Sequence, residues 1–193
     1  MRGKAAGLAA LMCLGLLTAC AVDDSAQSRV IVGSGTSVEG QLLGRIYAGA
    51  LGRAGADVET VEQLGNRDKI LSALDDGRVT LVPDTTGALL TRFDPSARQT
   101  DPDDVFVALN KSLPEGLSVS DYSMAEVGDS TAGPAENIVP LFRKGSLTAA
   151  QVKKLNIVGG ELTTADLTAL SDRLRRGENS ADVAGGWLDD RGI

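Results

Sequence analysis

Residues 29–33 (RVIVG) lead through 34–37 (SGTS) into 38–54 (VEGQLLGRIYAGALGRA), and this transition decides the fold. The first run is short, β-branched and bounded by Gly and Ser, which predicts a strand. In the second, Leu42, Leu43, Ile46, Ala50 and Leu51 recur at helical spacing, so a strand feeds a helix. The alternation continues outward. Residues 57–61 predict a second strand, and 66–76 (NRDKILSALDD) a helix with Asn66 as N-cap, Ile70, Leu71 and Leu74 as its buried stripe, and Gly77 as its stop. Residues 79–82 supply a third strand. Strand and helix alternating at this short spacing predict an α/β fold with mostly parallel pairing and crossover helices.

Further along, Asp101-Pro102-Asp103-Asp104 opens another helix, with Pro in its first turn and acids at its positive end, running through Val105, Leu109 and Leu113. Residues 118–134 (SVSDYSMAEVGDSTAGP) lack apolar periodicity and predict a crossing or linker segment. Residues 137–142 (NIVPLF) predict an extended segment, which Pro140 argues is an edge or an end. Three helices close the chain: Thr148 with Gln151 and Thr163 with Asp166 form capping signatures, and Ser180 precedes a helix carrying Val183, Trp187 and Leu188.

Upstream, Arg2 and Lys4 precede an apolar stretch over residues 5–18 and the tetrad Leu17-Thr18-Ala19-Cys20. That layout predicts a secretory signal over 1–19. The tetrad resembles a bacterial lipobox, which implies lipidation of Cys20, with 20–28 as a polar tether to a body spanning 29–193 and location on the extracytoplasmic face of the cell membrane.

Composition narrows the function. The chain has 193 residues, a formal charge of -7 and no His. An acidic chain has no face on which to neutralise phosphates, so nucleic acid is not an expected partner. Without His, His-dependent triads and His metal sites are excluded. With Cys20 lipidated and Cys13 in the signal, no thiol is left for nucleophilic or metal chemistry. No proton-transfer pair or nucleophile stands out, so neither an enzyme nor a cofactor is expected. Gly33-Ser34-Gly35 follows a strand, but the third Gly of a dinucleotide fingerprint would fall at Val38. The P-loop spacing of Gly35 and Gly40 fails because Gln41 and Leu42 stand where Lys and Ser or Thr are required. What survives is a helix start with backbone donors beside Ser34, Thr36 and Ser37, which suits an anionic group or is simply capped by those hydroxyls. The acids at 101, 103 and 104 break the calcium-loop pattern, and Arg173, Arg175 and Arg176 suit the end of a helix.

The runs VIVGSGTSVEGQLLGRIYAGAL, LGNRDKILSALDDGRVTLVPDTTGALL and ALNKSLPEGLSV, and the tail from Ala135, resemble the substrate-binding proteins of osmoprotectant (glycine betaine, choline, carnitine) ABC transporters. The resemblance implies a single lobe of a type II periplasmic-binding-protein-like fold, a quaternary-ammonium solute as ligand and an ABC permease as partner. In that family a second lobe is inserted between the halves of the first and closes over the ligand; here residues 126–134 leave room for a loop only. The aromatic tyrosine that the family places in its Pro-Glu-Tyr-Thr-Gly motif corresponds to Thr85, which has no ring for cation-π attraction. Ser34, Glu39, Gln41, Thr85, Thr86 and Gly87 fall on the family's ligand-side loops, and Tyr122, in the crossing segment, is the one aromatic retained as a candidate. Two functions stay open: solute delivery, alone or with a facing second copy in a homodimer, and a non-binding accessory lipoprotein that docks on a permease or another envelope protein.

Overall fold

A computed structural model describes residues 29–127 and 133–193. The signal segment 1–19, Cys20 and the tether 20–28 lie outside the described residues. In chain order the elements are β1 (Val30–Gly33), α1 (Val38–Arg53), β2 (Val58–Val61), α2 (Arg67–Asp75), β3 (Leu81–Thr85), α3 (Thr86–Phe93), α4 (Pro102–Ser112), β4 (Leu117–Val119), β5 (Ile138–Arg143), α5 (Ala149–Glu161), α6 (Thr164–Arg175) and α7 (Ser180–Asp190). The strands form one sheet in the order β2-β1-β3-β5-β4.

The two crossovers that the sequence predicts place β2 and β3 parallel to β1 on either side of it. The other half of the sheet corrects the expectation of mostly parallel pairing. β5 runs antiparallel to both β3 and β4, so more registered residue pairs are antiparallel than parallel. It returns across the sheet after the crossing segment, and among the described residues of that segment there is no crossover helix of the kind that joins parallel strands.

Side chains alternate across the sheet and feed two separate cores. Val30, Val32, Leu81, Ile138 and Phe142 point to the layer made by α1, α5, α6 and α7. Val82, Val139, Leu141 and Val119 point to the layer made by α2, α3 and α4. Both faces of β3 and β5 are therefore covered, which explains why β5 reads as an almost continuous apolar run.

Three other expectations change. Helix α3 lies in a stretch to which the sequence assigned no element, and β4 runs from Leu117 into what reads as linker. β5 is interior rather than an edge, Pro140 being accommodated opposite Pro83. The last helix is capped by Asn179, whose side chain accepts from the amides of Ala181 and Asp182, with Ser180 as its first residue. The capping signatures at Thr148 and Thr163 are both formed reciprocally, as expected.

Candidate functional site

Where β1 ends, the chain turns through Gly33–Ser37 to start α1; where β2 ends, it turns through Gly65 to start α2; and β3 ends directly at α3. These three turns share one end of the sheet, the place where open α/β sheets carry ligands. They enclose a cleft of about 310 Å³ lined by Gly35, Thr36, Ser37, Glu39, Gly40 and Leu43 from the first turn, Gly65, Arg67 and Ile70 from the second, Pro83, Asp84 and Thr85 from β3, and Val127 and Ile138 from the return. A cleft of this size fits a small solute. Gly35 sits at a close approach of the first two turns: a Cβ on it would stand 3.0 Å from Ile70 Cδ1 and 3.1 Å from the Gly65 carbonyl oxygen, so a side chain there would press the turns apart by a few tenths of an ångström.

The charged groups on the wall are paired. Arg67, first residue of α2, donates from Nε to both carboxylate oxygens of Asp84, at 2.9 and 3.2 Å, and its Nη2 lies 2.9 Å from Oδ1. Asp84 Oδ1 also accepts from the Thr85 amide at 2.8 Å. Burial pushes the Asp84 carboxyl above the ordinary carboxylate range, against the opposing pull of Arg67 and the amide. Glu39, in the first turn of α1, pairs with Arg175 at the end of α6. The walls between these pairs are apolar, from Leu43, Ile70, Val127 and Ile138. No aromatic ring is among the described lining residues.

Of the seven candidate residues, the structure brings Glu39 and Thr85 to the cleft wall. Ser34 lies buried beneath it, its backbone exchanging hydrogen bonds with Val61 and Leu64. Gln41 donates to the Thr36 carbonyl at 3.1 Å and braces the first turn. Thr86 and Gly87 hold the lobe together: the Thr86 hydroxyl donates to the Ala135 carbonyl at 2.9 Å, its amide donates to the Asn137 carbonyl, and Gly87 lies flush against the same return segment. Tyr122 is outside the cleft, its hydroxyl donating to Asp103 of α4 and its ring 5.1 Å from that of Phe106. Ser37 spends its hydroxyl on capping, accepting from the Gly40 amide at 3.0 Å.

Sequence inspection misses Arg67. Its neighbour Asn66 signals a helix start, and an Arg in a first turn reads as a solvated charge. Only the distance to Asp84, seventeen positions on, gives it a place in the site.

Residues 28–126 match the family model for the substrate binding domain of the ABC-type glycine betaine transport system. Among solved structures, apo YehZ from Escherichia coli is similar with a TM-score of 0.76 at 15% identity, covering 86% of this chain and 99% of that one. A glycine betaine/carnitine/choline ABC transporter structure is similar with a TM-score of 0.77 at 11% identity, covering 86% and 98%. At these identities the likeness is one of fold. No curated protein sequence matches the chain.

Proposed function

Because the chain belongs to the family of substrate-binding domains of ABC-type glycine betaine transport systems, we propose that it is the extracytoplasmic solute-binding lipoprotein of an importer for quaternary-ammonium osmoprotectants, of the glycine betaine or choline type. The observation that carries this is the cleft itself: three turns converging at one end of the sheet around about 310 Å³, with apolar walls for methyl groups and fixed charges for a polar end. The start of α1, a 16-residue helix, adds a positive dipole end on the same wall.

The remaining assignments follow from the sequence. Cys20 carries the lipid, residues 20–28 tether the lobe to the membrane surface, and an ABC permease receives the solute. Among the described residues no helix is long and apolar enough to cross a membrane. A single lobe leaves the cleft open on one side, and a facing second copy would close it.

Calorimetric titration of the purified chain with glycine betaine, choline, carnitine and proline betaine tests the proposal, alongside its mass in solution. Saturable heat at micromolar to millimolar solute supports solute delivery, and a dimeric mass supports a cleft rebuilt from two copies. A folded chain that gives no heat with any of them overturns it in favour of an accessory lipoprotein. Cys20→Ser, expressed in a bacterium, is expected to release the protein from the membrane fraction.

A further inference from the structure

We propose that Arg67 is the carboxylate anchor of the cleft, so that it selects solutes bearing a carboxylate and rejects choline, which has none. This rests on the cleft being the solute site.

The geometry of the Arg67–Asp84 pair carries the inference. Asp84 takes the Nε edge of the guanidinium, through Nε and Nη2. A guanidinium has five N–H donors in a fixed plane, so its Nη1 edge is left over. Among the described residues Nη1 makes no hydrogen bond. The Arg67 side chain is 46% exposed and lines the cleft, whereas that of Asp84 is 5% exposed. Asp84 thus acts from behind: it holds the plane of the guanidinium fixed and leaves the outer edge turned to solvent. A second carboxylate is the group that such an edge binds best, with two parallel charge-assisted hydrogen bonds.

The rest of the wall excludes the opposite choice. A cation needs either a ring or an unpaired carboxylate. Thr85 stands where the family resemblance implies a tyrosine, and no ring lines the cleft among the described residues. Glu39 is held by Arg175, and Asp84 by Arg67. A solute carrying only positive charge would meet the exposed guanidinium with both lining carboxylates already paired; Glu136 and Asp68 also act on that guanidinium but do not line the cleft. A zwitterion places its carboxylate on Arg67 and its methyl groups against Leu43, Ile70, Val127 and Ile138.

Three probes separate the ends of the molecule: glycine betaine, choline, and 3,3-dimethylbutyrate, which keeps the carboxylate and replaces the ammonium nitrogen by carbon. Titrated into the full chain, glycine betaine and 3,3-dimethylbutyrate are expected to bind, and choline at least roughly tenfold more weakly than glycine betaine, the scale of a lost charge-assisted pair. Arg67→Gln is expected to weaken glycine betaine by a similar factor, and Arg67→Lys to restore part of the loss. Choline binding as well as glycine betaine overturns the role of Arg67 and leaves solute delivery standing; so does a folded R67Q variant that keeps wild-type affinity for glycine betaine. No heat from any probe overturns solute delivery itself and this inference with it. If R67Q does not fold, the choline comparison on the unmodified chain still decides.

Discussion

Pro83 of β3 and Pro140 of β5 stand directly opposite one another in the antiparallel ladder. The Arg143 amide donates to Thr80 and the Thr86 amide to Asn137, at 3.0 and 2.9 Å, at either end of that ladder. Pairs alternate from there, so the two prolines meet at a non-hydrogen-bonded position, where neither strand asks the other for an amide. On its far side each proline lies past the registered end of the neighbouring strand: β1 pairs with β3 at Leu81, and β4 pairs with β5 no further than Leu141. This is how a proline sits in an interior strand without an orphaned acceptor.

Pro140→Ala is therefore expected to cost little, about 0.4–1 kcal/mol through greater freedom of the unfolded chain. Leu141→Pro, one residue on, removes a ladder amide and a fully buried side chain and is expected to cost about 3 kcal/mol or more. Urea unfolding of both variants checks the contrast; equal costs would contradict the pairing.

Arg67→Ala leaves the buried Asp84 carboxylate without its counter-charge. The expected cost is about 2–3 kcal/mol at neutral pH, below that of a fully buried pair because Arg67 is partly hydrated. The folded-state carboxyl already lies above its unfolded value because of burial, so the fold loses stability as pH rises through that interval and is flat above it. Without Arg67 the interval widens upward. The penalty of the substitution is thus expected to shrink as the pH falls toward the ordinary carboxylate range, and denaturant midpoints measured from neutral to acid pH would show it. A penalty independent of pH would place its origin elsewhere.

Gly87 leaves no room for a side chain. A Cβ there would stand 2.8 Å from the Ala135 carbonyl oxygen and 3.0 Å from Glu136 Cδ, the first of which is backbone. Gly87→Ala is expected to destabilise the chain by about 1–3 kcal/mol by forcing α3 away from the return segment. Thermal unfolding measures it; an unchanged midpoint would mean that the two segments part without cost.

Tyr122 makes the opposite kind of prediction. Its hydroxyl donates to Asp103, which, with lesser help from burial, pushes its ionisation up to about 12. Asp103→Asn removes the charge and should bring tyrosinate absorbance in at lower pH. Tyr122→Phe should leave solute affinity unchanged, since the ring lies outside the cleft. Loss of affinity in Y122F would bring this residue back into the site.

The sequence by itself determined the order of strands and helices from β1 to β3, the capping of α5 and α6, and the family. Those features rest on local periodicity, on side chains that bond to amides two or three positions away, and on motif order. It left the turn 34–40 open between a site for an anionic group and simple capping, because a strand-to-helix turn presents backbone donors that either a ligand or the neighbouring hydroxyls can take. Only the tertiary structure decided that β5 enters the middle of the sheet, since Pro140 is tolerated through its partner Pro83, 57 positions earlier. Likewise, only packing decided that Thr86 and Gly87 brace the lobe while Arg67 and Asp84 line the cleft. Their roles depend on contacts between distant segments, and such contacts follow from which faces of the sheet are covered rather than from any run of neighbouring residues.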